Sequence, residues 1–178
     1  YWMDVEILRK TLMMPPESVS TQELQAALDL YRGEFLAGFT VRNAPVFDEW
    51  VGRQRETVHT LVLQGFYRLA ERYSAQGDSQ AALAMTQRLL HWEPWHEAGH
   101  RLQMHLLATT GQRAAALTQY ILCRAVLADE LGAEPEVATT LLYEQIRSGD
   151  YGQVTRWPGD RSPKAHPGSA ASYPRIPV

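Results

Sequence analysis

The sequence has little that could cross-link it, hold it in a membrane or attract nucleic acid. Its 178 residues include a single cysteine, Cys123, so no internal disulfide can form, which is usual for proteins of a reducing cytoplasm. No apolar run approaches the ~18 residues that a membrane span needs. The formal net charge is −3, whereas duplex DNA is bound mainly through basic surface. We therefore expect a soluble, cytoplasmic chain that does not bind nucleic acid by itself.

The chain also lacks a signal segment and has almost no strand-like alternation of apolar and polar residues. It begins with Tyr1 and no charged-then-apolar stretch follows, which indicates a domain of a longer intracellular protein. Hydrophobic residues make up 45% of the composition, an ordinary fraction for a globular domain with a core. Apolar residues recur at spacings of three and four along most of the chain, and this pattern predicts an all-α fold.

Residues that cap or break helices divide this pattern into about seven helices. The prolines of "MMPPES" end the first helix, which covers residues 3–12, because proline cannot continue a helix. Ser20, with Glu23 three residues later, predicts a capping box for a second helix that stops at Gly33. A loop over 33–45 follows. Five further helices are predicted over 46–74, 79–91, 95–110, 113–130 and 136–148.

The last part of the chain, residues 150–178, differs in composition from the rest. It contains several glycines and serines, little apolar periodicity, and five prolines: Pro158, Pro163, Pro167, Pro174 and Pro177. Such a segment has too few apolar residues to build a core. We expect a helical domain over 1–149 and a tail or linker over 150–178.

The helical part contains a repeat with a period of 34 residues, which separates Gly77 from Gly111 and Ala82 from Ala116. This is the period of tetratricopeptide repeats, in which two antiparallel helices pack through small residues. The first unit offers Phe66, Leu69, Ala70, Tyr73, Ala82, Thr86 and Pro94, and the second keeps Gly111, Ala116 and Tyr120. The sequence predicts tetratricopeptide-like antiparallel helix hairpins that stack into a right-handed superhelical array.

Four segments in order resemble one known family. They are "LYRGEFLAGF", "FDEWVGRQRETVHTL", the stretch from "RLAERYSAQGD" to "AAALTQY", and "LADELGAEP". Together they resemble the bacterial transcriptional activator domain of antibiotic-pathway regulators, over about residues 2–148. The resemblance implies a non-enzymatic, tetratricopeptide-like regulatory domain that usually follows a winged-helix DNA-binding domain. The partners it implies are that adjacent domain, a second copy in a homodimer, or RNA polymerase.

Two other functions fit parts of the sequence. Helical repeats also occur as free-standing adaptors that bind a peptide or a protein. The letters "HEAGH" match the pattern of zinc hydrolases, in which His96 and His100 would bind the metal and Glu97 would act as general base. The same letters suit a first helical turn, where Glu97 favours the positive end of the helix dipole. We expect no catalytic residue, no cofactor and no metal, with His96 and His100 as the only candidate ligands.

The candidate partner-binding residues are aromatic or basic. Trp92 and Trp95 lie at the junction between the two repeat units, where they either pack or anchor a partner, since tryptophan is favoured in interface hot spots. Arg53, Arg68 and Arg72 on the long helix form either a solvated surface with acidic neighbours or a docking face for the DNA-binding domain.

Three further features have simpler interpretations. Cys123 has no histidine and carboxylate placed beside it by the sequence, so we predict a packing role instead of a nucleophile. Trp50 lies on the apolar stripe of the long helix and is predicted to be in the core. The acidic residues Asp129, Glu130, Glu134 and Glu136 could contact a basic partner, although the last two also suit the start of the final helix.

Overall fold

The computed structural model describes residues 2–39, 41 and 44–149 of the chain. Within these residues there are seven α-helices, a short 3-10 helix over Pro16–Ser18 and no β-strand, which confirms the all-α prediction. The α-helices are α1 (Trp2–Met13), α2 (Thr21–Asp29), α3 (Pro45–Ala75), α4 (Ser79–Trp92), α5 (Glu97–Thr109), α6 (Arg113–Leu131) and α7 (Val137–Ser148). None of them is long and apolar enough to cross a membrane. The predicted tail over 150–178 lies outside the described residues.

The capping box predicted at the start of α2 is present. Ser20 Oγ accepts a hydrogen bond from Glu23 N at 3.2 Å, and the Glu23 carboxylate accepts one from Ser20 N at 2.8 Å. Each bond satisfies an amide that has no acceptor within the helix. The bonds from Ser20 lower the pKa of the Glu23 carboxyl, because they stabilise its ionised form. Residues within one turn therefore fix where α2 begins.

The prediction for the end of α2 is wrong, because the helix stops at Asp29 and does not reach Gly33. The amides of the next two residues bond carbonyls three residues back, at 3.2 Å each, which tightens the last turn. Arg88 of α4 also donates to the carbonyl of Leu28 at 3.2 Å, so a side chain adds a second hydrogen bond to a carbonyl at this end. That contact comes from another helix, and the α2 sequence alone does not reveal it.

The two turns that lie 34 residues apart have the same geometry. Gly77 and Gly111 each have a φ of +79°, in the left-handed region that glycine adopts without a steric penalty. In each turn the amide after the glycine bonds the carbonyl five residues earlier. These bonds join Asp78 N to Tyr73 O at 2.9 Å and Gln112 N to Leu107 O at 2.8 Å. Both helices thus end in a Schellman motif, and the repeat is a structural unit made of the hairpins α3–α4 and α5–α6.

The hairpins stack so that each covers an apolar face of its neighbour. The helix α4 packs against both α3 and α5. At the C-terminal end of the stack, α7 packs against α5 and α6. The main core contains fully buried residues from α2 to α5, among them Leu24, Phe66, Leu69, Leu89 and Leu102. A smaller core beside α7 contains Met104, Leu107, Ala116, Leu142 and Ile146. Trp50 is only half-buried, so the prediction of a core position holds in part.

Two glycines inside helices allow close approach between helices. A Cβ atom on Gly65 would lie 2.6 Å from a methyl of Leu12 and 2.8 Å from one of Leu28, so α1 and α2 pack on α3 where it lacks a side chain. A Cβ on Gly99 would lie 2.8 Å from Leu89. Glycine costs a helix about 1 kcal/mol relative to alanine, and close packing explains why it stands at these two positions.

Candidate functional site

The segment "HEAGH" forms the turn that starts α5. His96 precedes the helix, and its Nδ1 accepts a hydrogen bond from Gly99 N at 3.0 Å. A side chain in this position satisfies one of the free amides of the first turn. The His96 ring also lies beside Tyr67, with 5.9 Å between the ring centroids. One nitrogen of this candidate zinc ligand is therefore engaged in capping the helix.

His100 is only 1% exposed, and both of its ring nitrogens have partners inside the protein. Nε2 lies 2.7 Å from the Pro94 carbonyl, and Nδ1 lies 2.6 Å from the amide nitrogen of Gln119. Because a carbonyl only accepts, Nε2 carries the proton and Nδ1 accepts from Gln119. Burial lowers the pKa of His100, although the bond to Pro94 opposes this. The neutral ring connects the turn between α4 and α5 to α6.

Glu97 holds the start of α7 against α5. One of its carboxylate oxygens accepts hydrogen bonds from Glu136 N at 2.7 Å and from the hydroxyl of Thr139, which is fully buried. Arg101, one turn later in α5, lies 3.6 Å from this oxygen and 2.7 Å from the Glu136 carboxylate. The carboxylate that the zinc hypothesis uses as a general base therefore bridges two helices.

In the part of the chain that the structure describes, no group of three or more His, Cys, Asp or Glu residues could hold a metal ion. His96 and His100 therefore have no third protein ligand there, whereas catalytic zinc sites use three. Cys123 is fully buried, and burial raises the pKa of its thiol to about 12. The thiol is protonated at neutral pH, which disfavours a nucleophilic role.

The buried histidines predict that the fold loses stability below neutral pH. Burial lowers the pKa of His100 and of His105 in the folded protein. Below about pH 6.5 the unfolded chain therefore binds more protons than the folded one, so their contribution to stability is complete above that pH and is lost as the pH falls. We expect the free energy of unfolding to fall from pH 6.5 to 5, by at most about 1.4 kcal/mol per pH unit for each histidine.

Urea unfolding at a series of pH values measures this dependence. The variant His100→Gln should flatten it, while His91→Gln, at an exposed position, should leave it unchanged. If His100→Gln and the parent chain had the same slope between pH 5 and 6.5, the linkage to His100 would be wrong.

The two tryptophans of the junction have different surroundings, and one of the candidate arginines is exposed. Trp92 is partly buried and meets the ring of Tyr31 edge-on, with 4.9 Å between centroids. Trp95 is 37% exposed. Arg53 is exposed and pairs with Glu49 at 3.2 Å, a kind of surface pair that contributes little to stability. Trp92 therefore packs the junction, and Trp95 and Arg53 are the accessible members of the predicted partner-binding set.

Arg68 bonds the last turn of α1, and Arg72 bonds the segment that connects α1 to α2. Arg68 donates to Leu12 O at 3.3 Å, while Arg72 donates to Val19 O at 2.7 Å and to Pro16 O. Nε and Nη2 of Arg68 are buried and make no hydrogen bond to the residues that the structure describes. Burial, followed by the charge of Arg72, lowers the pKa of Arg68. The two arginines hold the connection between α1 and α2, and they do not share an open surface with Arg53.

The family follows from a comparison with known proteins. A family model described as the bacterial transcriptional activator domain matches residues 16–147. The chain belongs to this family. It is a family of tetratricopeptide-like regulatory domains and not of enzymes. A search of curated proteins found no match.

The packed helices extend beyond the matched residues. The helix α1 lies before residue 16, yet its residues Leu8 and Leu12 are buried in the main core.

After α6, Glu134 lies 2.9 Å from Arg124, and Glu136 pairs with Arg101 as described above. Two of the four clustered acidic residues therefore take part in ion pairs within the activator domain.

Sequence reasoning missed a set of arginines that bind backbone carbonyls of other segments. Besides Arg68 and Arg72, these bonds join Arg55 to Phe35 O and Leu36 O, Arg88 to Leu28 O, and Arg113 to Ile146 O and Arg147 O. Basic side chains near helix C-termini commonly satisfy the last carbonyls. The sequence gives no signal for these partners, because each lies at least 19 residues away along the chain.

Proposed function

We propose that this activator domain is the non-enzymatic regulatory and protein-interaction module of a cytoplasmic bacterial transcriptional activator. Its hairpins form a stiff scaffold. The domain acts by binding other proteins and catalyses no reaction. The partners are an adjacent winged-helix DNA-binding domain, a second copy of the chain, or RNA polymerase. DNA is reached through the winged-helix domain, since the net charge of −3 does not favour binding to phosphates.

The observation that supports this proposal best is the surface of the last two helices. Large aliphatic side chains on α6 and α7 are each more than half exposed: Ile121, Leu122, Leu131, Val137 and Leu141. The helices α6 and α7 pack against each other, and exposed apolar groups on neighbouring helices are candidates for a protein interaction site. The terminal unit of a stack of helical repeats normally has a polar outer face, so large aliphatic side chains exposed on α6 and α7 are unusual at this end.

A reporter experiment tests the proposal. The chain is joined to a winged-helix DNA-binding domain with a known operator, and transcription from that operator is measured in a bacterial strain. We expect more transcription than with the DNA-binding domain alone. The double variant Ile121→Glu and Leu141→Glu should remove most of this increase, because a charge in the centre of an apolar interface costs at least about tenfold in affinity.

Val46→Glu is the matched control, since Val46 is an aliphatic residue that is 77% exposed and lies at the start of α3. It should keep the full activity. Sedimentation velocity of the same proteins distinguishes between the possible partners. A dimer that forms in the parent chain and is lost in the double variant would identify the partner as a second copy of the chain. Equal transcription with and without the chain would contradict the proposed function.

A further inference from the structure

The helix α7 has the position of a first hairpin helix, but no described helix follows it as a second. It packs against α5 and α6, as α5 packs against α3 and α4, and Gly149 after it has a φ of +86°. Gly77 and Gly111, after the first helices α3 and α5, have a φ in the same left-handed region. Each of those helices is then covered by the second helix of its hairpin, α4 or α6.

Four aliphatic side chains on α6 and α7 are each more than half exposed, and we call them the end surface: Ile121, Leu131, Val137 and Leu141. Tyr120 of α6 stacks on Tyr143 of α7, with 4.2 Å between ring centroids, and its hydroxyl lies 3.4 Å from Thr140 Oγ1. Ile121 and Leu141 directly follow Tyr120 and Thr140, so the two helices meet beside the end surface. Because the outer face of a terminal repeat is normally polar, we expect this apolar surface to be covered.

Two carboxylates in the last turn of α6 lie at one end of this surface. Asp129 and Glu130 are exposed, and neither has an ion pair or side-chain hydrogen bond among the described residues. The helix dipole is negative at this turn, so both charges are unfavourable there. The arginines of the two helices already have partners: Arg113 bonds backbone carbonyls, Arg124 pairs with Glu134, and Arg147 pairs with Glu144.

The chain that follows α7 starts where it can reach the whole end surface. Arg113, the first residue of α6, donates to the carbonyls of Ile146 and Arg147, so the end of α7 lies beside the start of α6. From Gly149 back to Val137, α7 spans about 18 Å at the helical rise per residue. An extended chain covers at most about 26 Å from Gly149 to residue 157, which is enough to run back along α7.

The residues after α7 match the end surface in kind and in order. Residues 151–164 read "YGQVTRWPGDRSPK", with apolar side chains first, at Tyr151, Val154 and Trp157. Three basic residues and one acidic residue give this segment a net charge of +2, and two of the basic residues follow Trp157. On the path back along α7, the end surface is likewise apolar first and acidic at its far end.

We propose that residues 151–164 dock on the end surface of their own chain, with their apolar side chains over its aliphatic residues and their basic side chains at Asp129 and Glu130. Docking removes apolar area from water and gives both carboxylates a counter-charge. A protein partner that binds α6 and α7 then has to displace the segment. This regulatory consequence rests on the proposed function, whereas the docking itself does not.

The reactivity of a cysteine placed beside the end surface tests the proposal in the full chain. Ala128 is exposed and lies about two helical turns after Ile121, on the same face of α6, so Ala128→Cys removes no aliphatic contact. Cys123 is buried and its thiol has a pKa raised to about 12, so it does not compete for iodoacetamide. We expect the new thiol to react about tenfold faster when the apolar residues of the segment become serine, because a segment docked about nine-tenths of the time protects tenfold.

The triple variant of the segment is Tyr151→Ser, Val154→Ser and Trp157→Ser. The matched control is Ala26→Cys, at an exposed alanine of α2, a helix that packs against α1 and α3; its rate should be the same with and without the triple variant. The proposal is overturned if the rate at Ala128→Cys does not change, or if both sites speed up equally. Because this measurement uses the purified chain and the reporter experiment uses transcription, either idea can fail while the other stands.

Discussion

Replacement of Phe66 by alanine is expected to lower the free energy of unfolding by about 3–5 kcal/mol. Phe66 is the largest fully buried side chain of the main core. Its removal loses the burial of the ring and leaves a cavity that the surrounding helices fill only in part. The guanidinium carbon of Arg88 lies 4.6 Å from the centre of this ring, so the variant also loses a cation–π contact.

Urea unfolding followed by circular dichroism measures the effect. The control Val46→Ala, at a residue that is 77% exposed, should stay within about 0.5 kcal/mol of the parent chain. Phe66→Leu keeps much of the volume but not the aromatic face, and it should fall between the parent and Phe66→Ala. A loss below about 1 kcal/mol for Phe66→Ala would show that the core is not packed as described.

Glu97→Ala is expected to lower the free energy of unfolding by about 2–3 kcal/mol, because it leaves the buried hydroxyl of Thr139 and the amide of Glu136 without their acceptor. Arg101 also loses one of its two carboxylate partners. The effect should be greatest at α7, whose amides should exchange hydrogen faster. Glu134→Ala is the control, since its pair with Arg124 is mostly exposed and is worth at most about 1 kcal/mol.

The same substitution separates the structural role of "HEAGH" from the zinc-hydrolase hypothesis. A general base can be removed with little change in stability, whereas a carboxylate that bridges α5 and α7 cannot. Unchanged stability of Glu97→Ala, together with loss of a zinc-dependent hydrolysis, would contradict the structural role. Lower stability and faster exchange at α7 would support it.

The sequence by itself determined the class of the fold and most of the helix bounds, because the signals act over short distances. Ser20 and Glu23 form their capping box within one turn. Gly77 and Gly111 set the two hairpin turns through their own positive φ values. The segments that resemble the activator family lie in the range that the family model matches, so membership also followed from the sequence.

Only the tertiary structure decided the direction and the partners of the polar side chains. An arginine on a helix surface can pair with acidic neighbours or reach a carbonyl of another segment, and Arg72 does the latter across more than 50 residues. The letters of "HEAGH" fit either a zinc site or a capped helix. In the folded chain α6 brings Gln119 beside His100, and α7 brings Thr139 beside Glu97, which favours the structural role. Such choices depend on which groups lie opposite one another after packing, and local spacing does not encode that.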